Sequence, residues 1–91
     1  MNKREMELRH RQTMSEGEKA DRLLKDPLIV EFFKNEKDLI MEKLASAEID
    51  ENRERELTMY LKAVFRFERV FEKKIRNGNK ARTLLDKLLK R

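Results

Sequence analysis

Basic side chains are the groups with the clearest chemistry in this sequence, and they gather near its end. Residues 72–91 carry eight lysines and arginines but only two carboxylates. Such cations bind phosphate backbones by releasing counterions, without reading a base sequence. They also suit an acidic protein surface or a solvated helix face, and the segment has no aromatic ring on which an unpaired base would stack. The predicted contact residues for duplex DNA or an acidic partner are Lys73, Lys74, Arg76, Lys80, Arg82, Lys87, Lys90 and Arg91.

Catalytic chemistry is not indicated anywhere in the chain. His10 is the only histidine and has no carboxylate–histidine arrangement around it, and cysteine is absent. Carboxylate pairs such as Glu51 and Glu54 have the spacing of ordinary exposed helix charges, and no glycine-rich phosphate loop or nucleophile motif occurs. The sequence therefore predicts a protein that is not an enzyme, with no catalytic residue, metal site, cofactor or small-molecule substrate.

The composition predicts a small all-α protein whose own core is thin. Of 91 residues, 45% are charged and 38% are hydrophobic. A chain of this length buries a limited fraction of its surface, so we expect assembly with copies of itself or with a partner. No apolar run approaches the roughly 18 residues that cross a bilayer, and the charged start does not resemble a signal peptide. We accordingly expect a soluble protein without a membrane partner.

Capping signals divide the chain into predicted helices. Residues 1–14 have only a weak apolar stripe and predict a polar, basic arm that is ordered only when docked. A capping box, in which Ser15 and Glu18 satisfy each other's amides, predicts a first short helix. Asp26 and Pro27 are typical of an N-cap and a first helical position, and predict a second helix to about Ala47.

The second half of the chain is predicted to contain two more helices. Asp50 caps a long helix from Glu51 to about Asn77, and Gly78 is well placed for a left-handed ending. A basic, leucine-rich amphipathic helix follows over residues 79–91. The expected fold is all-α, a helical hairpin with short flanking helices, three to four in number, in an oligomer. Residues 15–78 form the hairpin core with its short leading helix.

The apolar residues of these helices recur at helical spacing and predict the packing interface. Some of the apolar stripes are wider than a coiled-coil seam, which indicates contact with more than one neighbour. The interface residues expected from the spacing are Ile29, Phe33, Ile40, Leu44, Leu57, Tyr60, Val64, Phe67, Phe71, Leu84, Leu85 and Leu88.

Several of the helix signals resemble those of a known group of proteins. Small all-helical proteins of tailed bacteriophages resemble this chain in three segments: Ala20-Asp21-Arg22-Leu23-Leu24-Lys25-Asp26-Pro27-Leu28, Arg53-Glu54 ahead of Ala63 and Val64, and Asn77-Gly78 before Ala81. Those proteins share an A-x-x-L-L-x-D/N-P-L opening, an acidic middle and a closing glycine. The tryptophan associated with their middle is missing here. The resemblance implies a role in virion assembly or DNA packaging, in the host cytoplasm or the virion.

Three functions are compatible with these patterns. The first is a non-enzymatic assembly protein that self-associates, as a homo-oligomer, or docks on a larger phage complex. In it the acidic segment of one copy, which includes Glu31, Glu36, Asp38 and Glu42, meets the basic tail of the next in a salt-sensitive contact. The second is a nucleic-acid-binding regulator that uses the tail. The third is a small helical inhibitor or adaptor of a host protein.

Overall fold

The computed structural model describes residues 1–90 and consists there of three helices without a strand. Helix α1 spans Lys3–Lys25, α2 spans Pro27–Leu44 and α3 spans Glu51–Leu89. The expectation of an all-α fold is confirmed. Helix α3 alone has 39 residues, or about 58 Å at 1.5 Å per residue.

Each helix begins at a polar side chain that caps its first free amides. The side-chain oxygens of Asn2, Asp26 and Asp50 accept from backbone N–H groups inside α1, α2 and α3, each at 2.8 Å. Pro27 occupies the start of α2, where its missing N–H leaves no hydrogen bond unmade. The predicted caps at Asp26 and Asp50 are therefore confirmed.

Two predicted helix boundaries are wrong. The Ser15–Glu18 capping box lies inside α1, so residues 3–14 belong to the same helix as the rest of it. The Asn77–Asn79 segment lies inside α3, and no glycine of the described chain has a positive φ. The predicted short fourth helix is instead the last part of α3.

Helices α1 and α2 follow each other along α3, and both run antiparallel to it. The first half of α1 meets the end of α3, where Met6 and His10 line one groove with Leu84 and Leu88. Leu24, near the end of α1, packs where the two halves of the molecule meet. The overall dimensions are 65 × 27 × 14 Å, so the molecule is an elongated and flat helical hairpin.

The α1–α3 contact closes on two glycines. A Cβ atom built on Gly17 would lie 2.8 Å from the Lys74 carbonyl oxygen and 2.9 Å from the Cα of Gly78. The absent side chains let the two backbones touch, and Ala20, Ala81 and Leu85 are buried in the same half of the molecule. Gly78 is therefore a packing residue, where the sequence predicted a helix end.

The α2–α3 contact is built from larger side chains. Phe33, Ile40, Leu57 and Val64 form a buried cluster. Along α3 the residues that face the other helices recur every seven positions, as in a coiled-coil seam. They are Leu57, Val64, Phe71, Gly78 and Leu85, of which Phe71 is half-buried.

Candidate interaction surfaces

The α2–α3 half carries a broad apolar surface that is left exposed by the other residues among 1–90. We call it the aromatic face, and its six side chains are between 47% and 75% exposed. A folded chain hides large apolar groups, and a contiguous exposed set marks an interaction site. The aromatic face consists of Leu28, Phe32 and Leu39 on α2, and Tyr60, Phe67 and Val70 on α3.

Ring contacts join the two helices across this face. The Phe33 ring centroid lies 5.6 Å from that of Phe32 and 5.7 Å from that of Phe67, and Phe67 lies 5.0 Å edge-on from Phe71. Phe33 is buried, so it anchors the exposed rings beside it. The exposed rings of Phe32 and Phe67 thus both contact the buried ring of Phe33.

A hydrogen bond fixes the other end of the aromatic face. The Tyr60 hydroxyl donates to Glu36 Oε2 at 2.9 Å, which links α3 to α2. This bond, together with the negative charge of the carboxylate, raises the pKa of Tyr60 above its usual value. The carboxylate of Glu36 is thereby turned toward its own chain.

The opposite edge of the α2–α3 contact is closed by charge. Lys37 Nζ lies 2.7 Å from Glu68 Oε1, and both side chains are about three-quarters buried. The same ammonium group stands over the Phe65 ring, 5.0 Å from its centroid. The Lys37–Glu68 pair bridges this edge, where Val30 and Met41 line a groove beside Phe33. The aromatic face lies on the opposite edge.

The outer side of α3 carries a second surface, made of cations. We call it the basic stripe: seven exposed lysines and arginines, four or three residues apart except for the last. These intervals bring side chains onto one side of a helix. Within residues 1–90 none of the seven takes part in an ion pair. The basic stripe consists of Lys62, Arg66, Arg69, Lys73, Arg76, Lys80 and Lys87.

The structure divides the eight cations predicted from the sequence into different groups. Lys73, Arg76, Lys80 and Lys87 belong to the basic stripe. Lys74 pairs with Glu16 at 3.3 Å and Arg82 pairs with Glu18 at 3.4 Å, so both of these cations fasten α3 to α1. Lys90 is exposed just after α3, and Arg91 lies outside the described residues.

Sequence reasoning missed Lys62, Arg66 and Arg69. Residues 51–71 are nearly neutral as a segment, so the net charge of the segment gives no sign of a basic surface. Sorting the same residues by helix face separates them from the carboxylates, because Glu68 faces Lys37 on α2. The sequence signal for the stripe is the alternating four- and three-residue spacing of the cations at positions 62, 66, 69, 73, 76 and 80.

The twelve predicted packing residues also divide. Phe33, Ile40, Leu57, Val64 and Leu85 are buried, and Ile29, Leu44, Phe71 and Leu88 are half-buried. Tyr60, Phe67 and Leu84 are exposed in the single chain. The first two of these three belong to the aromatic face.

Across residues 1–90 there is no cluster of three or more side chains suited to hold a metal ion. Over the same residues no helix combines the length and apolar character that crossing a membrane requires. No protein-family model, curated protein or solved structure matches the chain.

Proposed function

We propose that this chain is a non-catalytic helical assembly protein whose aromatic face pairs with the aromatic face of a second copy. The observation that carries the proposal is the open apolar edge between α2 and α3, in a molecule only 14 Å across its thinnest dimension. Aromatic and large aliphatic groups of this kind dominate interface energetics when they leave water.

The exposed area suits a dimer. A large apolar side chain that is half exposed offers roughly 100 Å² to a partner, so the six side chains supply roughly 600 Å². A standard interface buries about 800 Å² on each partner, and a rim of polar neighbours supplies the remainder. A second copy therefore provides a matching surface of the right size.

The charge on this face also favours a second copy. In a twofold dimer each surface patch meets itself, so a patch with strong net charge repels its partner. The six side chains of the aromatic face are uncharged, and the carboxylate of Glu36 at its edge is bonded to Tyr60. The charged groups that line a groove with Leu39 and Tyr60 are of both signs, Lys43, Arg53 and Glu56. The basic stripe, by contrast, would repel its own copy.

The phage setting of this proposal rests on the helix-cap motifs. The Ala20–Leu28 opening and the Arg53-Glu54 pair resemble those of small tailed-phage proteins, and an assembly role in particle formation or genome packaging fits a self-associating helical subunit. Genome position tests the setting. Adjacency of the coding sequence to portal, terminase or capsid genes supports it, and a location among unrelated cellular genes contradicts it.

Molar mass by light scattering across a concentration series tests the pairing. We expect twice the 11.1 kDa of the chain at high concentration. Phe32→Glu/Phe67→Glu should give a single chain, because it places two charges in the buried interface. Leu8→Glu/Met41→Glu is the matched control, since both of its residues are exposed apolar groups outside the aromatic face.

The control should keep the mass of the dimer, and both variants should keep the helical circular dichroism spectrum. A wild-type chain that stays single at every concentration would overturn the proposal, as would a dimer that survives the Phe32→Glu/Phe67→Glu change. Raising salt from about 0.1 M to about 1 M separates apolar pairing from the acidic-to-basic contact, because only the latter is screened. The proposed dimer persists at high salt.

A further inference from the structure

We infer that the basic stripe is a binding surface for the phosphate backbone of double-stranded nucleic acid. The inference goes beyond the proposed pairing and does not depend on it. The stripe lies on the side of α3 that faces away from α1 and α2, whereas the aromatic face lies along the edge that α3 shares with α2.

The stripe carries charge of one sign. In the seven-residue repeat of α3, the two outermost positions from Lys62 to Lys87 hold the seven cations and Thr83, with no carboxylate. Ala63, Val70, Asn77 and Leu84 flank the stripe on one side. The other flank holds Phe65, Asn79 and two carboxylates, Glu72 and Asp86. Mixed charges are usual on a solvated helix, so a stripe of one sign calls for a partner of the opposite sign.

The stripe also has the dimensions of a duplex site. Lys62 and Lys87 are 25 positions apart on one continuous helix, or about 38 Å at 1.5 Å per residue. One turn of duplex DNA is about 34–36 Å long, so the stripe spans a full turn. Between these two lysines, α1 packs directly against α3 at the Gly17–Gly78 contact.

The composition of the stripe selects duplex over single-stranded nucleic acid. Single-strand sites combine cations with aromatic rings on which bases stack. The stripe contains none, because the rings of α3 lie on its inner side and its edges. Its lysines and arginines contact phosphates without reading bases, so the binding we expect is independent of sequence.

An acidic protein surface is the competing partner, and the outer side of α2 in another copy is the available example. Glu31, Asp38 and Glu42 are exposed there, without ion pairs in the described chain. They number three against seven cations, and α2 has 18 residues against the 25 positions that the stripe spans. The acidic surface is thus too short and too weakly charged to match the stripe, whereas a duplex matches it along its whole length.

Fluorescence anisotropy of a labelled duplex DNA of about 30 base pairs tests the inference. Contact with seven phosphates predicts that the logarithm of the binding constant falls against the logarithm of salt concentration with a slope of about −6. Arg66→Ala/Arg69→Ala/Lys73→Ala should reduce the magnitude of that slope by about 3 and weaken binding at least about tenfold near 0.1 M salt.

The matched control is Arg4→Ala/Lys19→Ala/Arg22→Ala on α1, which removes the same charge from exposed and unpaired positions. It should bind within a few-fold of the wild type. Equal loss in both triple variants would overturn the inference, because net charge alone would then explain binding. Tighter binding to a single strand of the same length would overturn the assignment to a duplex.

Two further outcomes separate a failure of the DNA-binding inference from a failure of the pairing proposal. If the DNA does not bind but poly-glutamate binds through the stripe, the partner is an acidic protein and the inference fails. The Phe32→Glu/Phe67→Glu variant should keep the salt slope per chain, whatever its oligomeric state. Loss of DNA binding in that variant alone would show that the site needs two chains, and would contradict a stripe that is complete on one.

Discussion

The two halves of α3 meet their neighbours in opposite ways. Against α1, the contact is made by Gly17, Gly78 and alanines, which bring the backbones together. Against α2, the contact is made by Phe33, Ile40 and Leu57, and the helices are held apart by these larger groups. Small residues let two helices approach until their backbones touch, whereas rings fill a wider gap and leave part of their surface exposed. Under the proposed pairing, a second copy covers the exposed surface of the α2–α3 half.

The largest effect on stability is expected from a substitution at Phe33, the buried ring of the α2–α3 half. Phe33 is buried and Phe32 is its exposed neighbour on the same helix. Phe33→Ala should lower the free energy of unfolding by about 3 kcal/mol, because it leaves a cavity in the only cluster of this half. Phe32→Ala should lower it far less in the single chain. Urea unfolding at a protein concentration too low for pairing measures both, and equal losses would contradict an anchored ring.

The next effect concerns the close contact of the α1–α3 half. An alanine in an ordinary helix interior is about 1 kcal/mol more favourable than glycine. At residue 17 the new Cβ would meet backbone atoms on α3, which cannot rotate away as a side chain can. Overpacking of this kind costs about 1–3 kcal/mol, so Gly17→Ala should destabilise the protein in spite of its helix propensity.

Thermal and urea unfolding show whether Gly17→Ala lowers or raises the free energy of unfolding. Asn77→Ala, at an exposed position beside Gly78, is the control and should stabilise slightly. A Gly17→Ala variant that gained stability to the same extent would show that the two backbones do not touch.

These residues also show what could be predicted from the sequence and what could not. The caps at Asp26 and Asp50 and the core residues Phe33 and Ile40 follow from local chemistry and helical spacing, and the structure confirms them. The helix boundaries predicted at Ser15 and Gly78 were wrong because a serine can lie inside a helix as well as cap one, and a glycine can pack inside a helix as well as end one. The residue on the neighbouring helix decides which occurs, and for Gly78 that residue is Gly17 on α1.

The seven-residue spacing of the inner residues of α3 nevertheless indicates that the helix continues through Gly78. Leu57, Val64 and Phe71 are seven apart, and the next two steps fall on Gly78 and Leu85. A seam that continues through a glycine predicts an uninterrupted helix that a neighbour approaches closely. The openness of the aromatic face could not be predicted in this way, because apolar spacing shows which side of a helix is buried and gives no information on what covers it.

The smallest effect on stability is expected from loss of the Tyr60–Glu36 hydrogen bond at the edge of the aromatic face. The bond from Tyr60 to Glu36 stabilises the protonated phenol, so the pKa of Tyr60 is raised in the folded state. Its contribution to stability is fully present below the ordinary tyrosine pKa of about 10, and it is lost as pH rises through the higher folded value. Tyr60→Phe should therefore be less stable than the wild type at neutral pH, and the difference should shrink above about pH 10.

Thermal unfolding of the two proteins over this pH range measures the difference. A gap that stays constant at alkaline pH would mean that the hydroxyl does not donate to Glu36. A gap that also depends on protein concentration would place the bond in the pairing interface.

Hydrogen exchange at low and high protein concentration tests the contrast between the two halves most directly. Raising the concentration should slow exchange in α2 and in residues 57–71 of α3, where the aromatic face becomes covered. Exchange in α1 and in the part of α3 after Gly78 should not change. Exchange that is independent of concentration throughout, or slowing confined to the α1–α3 half, would contradict pairing through the aromatic face.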